Sequence, residues 1–431
     1  MNIFSFYWAA LWFSLFFPTF SNTLGYSGAM LIIVGSAAIV TPWLLLKGSK
    51  SIFKNASKNE SRFILIVLTF FLFFSFHIVL SMVVGVIFGD VNLIFRDFYE
   101  IHRPVYYALV FLFSFLVFRD LRDFEYFTTG ITITFLVVTG FGLFQFFDLN
   151  RGFSVLYTKY ANIRMGRVAI PFGNPYYYSF FVSFFVLFFF SKIIFSGFRY
   201  VPLFVLSIIM FVLPQSRSVA VGLLLGFFVI IPGLLVILSA PSGSKLYKRY
   251  FYGFVFFVLV CFSFLALIPI LLENFPYLTG QFVRTLSGEG IGSSASARLD
   301  QFLFAVNKAG SNIPLWLIGN GPSKNEMEYV ESIYVYQFYR YGLFGLVLYL
   351  AIPILLFSIL SWRTMRIMGR YNSEYAFHFA LVAWFLTIPL MSVGNNFTEQ
   401  VRLSFVYYSF LGLVAGRYFH HFYYFKKQSV S

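Results

Sequence analysis

The chain has 431 residues, 59% of them hydrophobic and 11% charged, against roughly 45–50% and about 25% in soluble globular domains. Charge that sparse excludes a large soluble domain, and a lone cysteine, Cys261, excludes a disulfide framework, a zinc cluster and thiol redox chemistry. The net charge of +15 points toward nucleic acid only at first sight; in so apolar a chain, membrane orientation explains a basic surplus better, so no nucleic-acid partner is expected.

Apolar runs bounded by charge or turn residues predict helices over 5–20, 28–46, 63–88, 104–118, 127–147, 176–195, 200–213, 219–239, 251–272, 332–360, 376–394 and 403–419. The 200–213 span is the weakest, being short and flanked by proline. The expected architecture is an all-α polytopic integral membrane protein of about 12 transmembrane helices. It forms a single membrane domain over 1–431, with one long external loop, 273–330, inside it. Met1 to Phe20 lacks a basic n-region and a small-residue cleavage site and reads as the first span, not a removable signal. No repeat of fixed period appears, so neither a solenoid nor an inverted-repeat transporter is indicated. In the long loop, Ser287 to Ser294 is rich in glycine and serine and reads as flexible, while Ala297 to Ala309 reads as a short helix.

Connections after the even-numbered spans, with the C-terminal tail, hold 18 of the 31 basic residues against five acids, a net +13. The other side holds 13 basic and 11 acidic residues, a net +2. The positive-inside rule therefore puts both termini in the cytoplasm and the long loop outside.

External arginines are the informative residues, because orientation does not ask for them. Arg217 lies in Pro214-Gln215-Ser216-Arg217-Ser218, a tight turn between two spans. Arg151, Lys159, Arg164 and Arg167 share the acid-free stretch from Asn150 to Phe172, and Arg284, Arg298 and Arg340 surround the long loop. A planar guanidinium grips phosphate oxygens in a two-pronged fashion, so arginines at headgroup depth fit a lipid-linked phosphate or diphosphate. The plainer alternative is contact with anionic membrane lipids or snorkelling. His77, His102, His378, His420 and His421 are dispersed without ligand spacing, no external acid pair of the DxD kind occurs, and Gly319-Asn320-Gly321 lacks the Lys-Ser/Thr of a P-loop. No metal and no cofactor are expected.

Four segments in order resemble the O-antigen polymerase and O-antigen ligase superfamily. They are Leu213-Pro-Gln-Ser-Arg217-Ser-Val-Ala-Val-Gly222, Ala297-Arg298-Leu-Asp300, Leu315-Trp-Leu-Ile-Gly319-Asn-Gly321, and Glu331-Ser332-Ile-Tyr334 through Tyr341-Gly342-Leu-Phe-Gly345. Pro171-Phe-Gly173-Asn174-Pro175 is a weaker fifth. Together they cover roughly a third of the chain. Ligases of this superfamily usually carry a His-Asn-like pair where this chain has Glu331-Ser332, which tilts the resemblance toward the polymerases.

The resemblance implies a multi-pass protein of the bacterial inner (cytoplasmic) membrane with a periplasmic active face. It implies transfer of a growing glycan from undecaprenyl diphosphate to the non-reducing end of another lipid-linked repeat unit, without ATP or metal. The partners implied are the undecaprenyl-diphosphate-linked oligosaccharide, membrane lipids and a chain-length regulator protein. Arg217 and Arg298 are then the expected diphosphate clamps, Arg164 and Arg167 secondary phosphate or sugar contacts, and Glu331 the general base, with Asp300 as runner-up. Glu331 alternatively caps a helix as an acid in its first turn. Tyr334, Tyr336 and Trp316 stack on sugars or belong to the interfacial aromatic belt. The rival functions are an O-antigen ligase acting on lipid A core and a lipid-linked oligosaccharide flippase or transporter. A flippase would be expected to bury charges within its spans, which here are nearly free of them.

Overall fold

Lipid offers no partner to backbone N–H and C=O groups, so apolar runs of this length satisfy their own backbone as helices. The computed structural model describes residues 3–20, 26–45, 57–239, 293–368 and 372–428, and among them every regular element is helical. In chain order these are α1 (Ile3–Phe16), α2 (Tyr26–Trp43), α3 (Lys58–Gly89), α4 (His102–Arg119), α5 (Glu125–Phe146), α6 (Pro175–Ser196) and α7 (Val201–Val212). α8 (Arg217–Leu225) runs on through a π segment, Gly226–Ile230, into Ile231–Ser239. Then come α9 (Ser293–Ala309), α10 (Ile313–Ile318), α11 (Ile333–Gly345, continuing through Leu346–Ala351 into Ile352–Met368), α12 (Ser373–Met391) and α13 (Val401–Gln428).

Seven helices among the described residues are long and apolar enough to cross a membrane: α3, α4 with its preceding turn, α5, α6, α8, α11 and α12. Eleven of the twelve expected spans coincide with helices, although α1, α2 and α7 are shorter apolar helices and α13 is not among those apolar enough to cross. The expected 251–272 span and the loop from 273 to 292 lie outside the described residues. The rest of the long loop is largely ordered into α9, which begins four residues before the expected Ala297, and α10.

Burial separates the helices into an interior and a rim. The most apolar window of α6 is 94% buried, against 33% for α3, so α6 is central and α3 faces outward. α6 begins cleanly because Asn174 Oδ1 accepts from the Tyr176 N–H at 2.9 Å, with Pro175 in its first turn. Its phenylalanines fill the core against α12 and α13: Phe184 sets its ring 5.5 Å from Phe377, 5.7 Å from Trp384 and 4.9 Å from Phe410. α13 lies along α4 at close range because Gly412 and Gly416 form a small-xxx-small stripe. A Cβ on either would stand 2.3 Å from the Phe111 carbonyl oxygen or 2.5 Å from that of Phe115.

Charge gathers at the two ends of this bundle. At one end Glu374 receives Arg417 at 2.6 and 3.0 Å and His421 at 2.8 Å, while Arg119 holds Glu60 at 2.7 Å. α12 has 19 residues, and at about 1.5 Å per residue it spans roughly 28 Å. The turn that follows it, 392–400, therefore lies at the opposite end, where the candidate site is found.

Candidate functional site

A cavity of ≈ 200 Å³ opens beside the start of α8 and the 394–395 turn. Four of its lining residues are those singled out from sequence: Arg167, Arg217, Arg298 and Glu331. They arrive from four separate segments. Arg217 is the first residue of α8, so its guanidinium sits beside a helix N-terminus, where backbone N–H groups and the helix dipole favour an anion. Arg298 projects from α9, and Arg167 comes from the loop between α5 and α6. Gly394 lets the post-α12 turn close over the others, since a Cβ there would meet the Ser218 Oγ at 2.5 Å.

The supports of each group can be named. Arg167 donates from Nε to the Pro214 carbonyl at 3.1 Å, tying its loop to the turn that carries Arg217. That loop is itself held by Gln145, whose Nε2 donates to the Arg167 carbonyl at 2.9 Å and whose Oε1 accepts from the Ala169 and Ile170 N–H groups at 2.7 and 3.0 Å. Buried Arg402 adds bonds to the Leu15, Phe17 and Pro171 carbonyls, pinning the same loop to α1. Tyr176, also on the cavity wall, donates to the Asn395 carbonyl at 3.2 Å.

Glu331 faces Arg298, with Oε2 2.9 Å from Nε. The pair is a third to two-fifths exposed, and neither of these two atoms has a hydrogen-bond partner, so it is a charge contact off the line of a hydrogen bond. The helix-cap reading of Glu331 is corrected: the N-cap of α11 is Ser332, and Glu331 precedes it, with its backbone N–H donating to Gln301 Oε1 at 3.1 Å.

Other expected residues fall elsewhere. Asp300 is exposed and does not line the cavity, because two residues along α9 turn it about 200° from Arg298. Arg164 ends the short helix Tyr160–Arg164, and its side chain lies outside the described ones, as does Arg284 altogether. Arg151 pairs with Asp148 at 2.6 Å at the surface. The sugar-stacking aromatics are not on the cavity wall. Tyr334 donates to the Pro389 carbonyl at 2.8 Å, Trp316 donates to the Gly310 carbonyl at 3.0 Å, and Tyr336 is buried beneath the Arg340 guanidinium at 4.2 Å.

Sequence reasoning missed a second cluster next to the cavity. Arg340, taken from sequence as an external arginine, is fully buried, 3.5 Å from Glu399. Nearby, Glu100 is held between Arg103 at 3.0 Å and Lys324 at 2.5 Å. Buried Asp97 accepts the Ile94 and Lys324 backbone N–H groups at 2.8 and 3.0 Å. Burial pushes the Lys324 amine below its usual value of 10.5, with Glu100 pulling it back up. Burial pushes the Glu399 carboxyl above 4.5, against the pull of Arg340 and Arg103. Of these charges only Arg340 falls within an expected span, the others lying in the connections, and they are paired with one another and leave only a ≈ 20 Å³ cavity, about one water in size.

No protein-family model matches the chain, and no curated protein matches it. Function is therefore argued from the site itself.

Proposed function

We propose that the chain is a glycosyltransferase of the bacterial inner membrane, a polysaccharide polymerase of the O-antigen or capsule type. It would move a growing glycan from undecaprenyl diphosphate to the non-reducing end of another lipid-linked repeat unit. The observation that carries the reading is the convergence of Arg167, Arg217 and Arg298 on one cavity where, among the described residues, Glu331 is the single carboxylate. A surplus of guanidinium charge suits a diphosphate, whose negative charge grows as it leaves the anomeric carbon. Glu331 is suited to accept the proton of the acceptor hydroxyl.

The charge split of the connections supports a periplasmic site and cytoplasmic termini. Reporter fusions are expected to place Lys50 and Lys426 in the cytoplasm and Gly288 to Ser294 outside; an external Lys50 would overturn the orientation. The activity is tested with purified protein and undecaprenyl-diphosphate-linked repeat units, where products of many repeats are expected. A deletion strain should display single-repeat glycans. Loss of surface glycan with accumulation of long carrier-linked chains would instead identify a ligase.

A further inference from the structure

The contact between Arg298 and Glu331 places one expected clamp and the expected base in the same ion pair, so neither is at liberty to do its separate task as the structure stands. Two features show how the pair is built to part. First, the two side chains are a third to two-fifths exposed, and their facing atoms, though enclosed, are not joined by a hydrogen bond, so the pair lacks the geometry that makes an ion pair strong. Second, Glu331 does not depend on Arg298 for its place. Gln301 lies three residues beyond Arg298 on the same face of α9, and it binds the Glu331 segment at two points. Its Oε1 accepts from the Glu331 N–H at 3.1 Å and its Nε2 donates to the Tyr329 carbonyl at 3.0 Å.

We propose that Glu331 is an internal stand-in for the donor's diphosphate: it occupies Arg298 until the diphosphate displaces it. Gln301 is the positioning residue that keeps the released carboxylate at the cavity as base. The inference rests on the proposed function. A diphosphate carries more charge than one carboxylate and meets three guanidinium groups together, so it wins the exchange. The acceptor oxygen then bonds to the anomeric carbon as the anomeric C–O bond to phosphate breaks. The bonding pair leaves on the diphosphate, and the hydroxyl proton passes to Glu331. A base that is uncovered only by the donor imposes an order, donor first and acceptor activation second, and leaves the empty site without an armed carboxylate.

The test is titration of the full-length protein in nanodiscs with undecaprenyl diphosphate, read by calorimetry. Removing an internal competitor strengthens binding, so Glu331→Gln and Glu331→Ala should each bind about two- to fivefold more tightly than wild type, the range of a partly exposed ion pair. Asp300→Asn removes a carboxylate from the same helix without touching Arg298, and it should leave the affinity unchanged. Equal or weaker binding by both Glu331 variants would overturn the stand-in role, as would an equal gain from Asp300→Asn, which would mean a general field effect. A wild-type protein that binds no diphosphate would overturn the proposed function as well. For Gln301, the Gln301→Leu variant should keep wild-type diphosphate affinity and donor KM while kcat falls at least about tenfold. Unchanged kcat, or affinity lost together with kcat, would remove its positioning role.

Discussion

The cavity sets the guanidinium groups of Arg167, Arg217 and Arg298 against one carboxylate, Glu331, and leaves Arg298 and Glu331 partly open to solvent. Sharing the 392–400 turn, the buried cluster sets Arg103, Lys324 and Arg340 against Glu100, Glu399 and Asp97, with Arg340 and Glu100 almost wholly enclosed. The same residue types thus serve two ends. Where charges balance and water is excluded, each cation is spent on a neighbour, and the product is rigidity. Where the described lining sets three guanidinium groups against one carboxylate and leaves side chains partly open to solvent, the arrangement fits the binding site proposed above. Arg340 makes the lesson concrete: it looked like an external arginine, yet its environment makes it structural.

Breaking the buried cluster should do the most damage. Glu100→Ala would leave Arg103 and Lys324 enclosed without their shared counter-charge, at a cost of about 3–5 kcal/mol. A sharply lowered unfolding midpoint in detergent and a reduced membrane amount are expected. A fully stable Glu100→Ala protein would mean that the cluster is not a structural lock. Arg217→Ala should behave in the opposite manner, with a normal protein amount and unfolding midpoint but a turnover reduced by on the order of 10²-fold, the cost of losing one charge-stabilising donor. Arg217→Lys should recover little, because an ammonium lacks the two-pronged contact. If Arg217→Ala also destabilised the fold by several kcal/mol, the division between the two clusters would collapse.

Acidity separates them further. The Glu399 carboxyl is raised above 4.5 by burial, so the folded chain holds this proton more tightly than the unfolded one. Its contribution to stability is fully present below that ordinary value and is lost as pH rises through the raised one, with a slope of at most about 1.4 kcal/mol per pH unit. Subtracting the unfolding profile of Glu399→Gln from that of wild type should expose this slope. Parallel profiles from about pH 4 to about pH 8 would show that folding does not raise the Glu399 carboxyl.

How much of this was legible beforehand follows from what each signal depends on. Helices were legible because a bilayer imposes a length and an apolar content on each span: eleven of the twelve expected segments coincide with helices, seven of them long and apolar enough to cross a membrane. Arg167, Arg217 and Arg298 stood out because a cation on the less basic side needs a reason, and Glu331 because of the resemblance carried by its segment; the four line one cavity. Asp300 was misjudged because nearness in sequence ignores the turn of a helix. Tyr336 and Arg340 were misjudged because their partners, each other and Glu399, depend on tertiary packing. The α13–α4 contact went unread, although the Gly412-xxx-Gly416 spacing that permits it stands in the sequence.

The mildest probe is salt. Raising ionic strength from about 0.1 M to about 1 M shortens the screening length from about 10 Å to about 3 Å. Charges open to solvent should feel this and enclosed ones should not. Undecaprenyl diphosphate affinity is expected to fall several-fold, while the part of the unfolding midpoint lost in Glu100→Ala stays constant across the same range. The wild-type decline should also be shallower than that of Glu331→Gln, because salt weakens the internal Arg298–Glu331 contact along with the external one, and the two changes oppose each other. Equal slopes would mean that the carboxylate is not competing for Arg298, and affinity insensitive to salt would mean that the arginine cavity is as closed in solution as the cluster beside it.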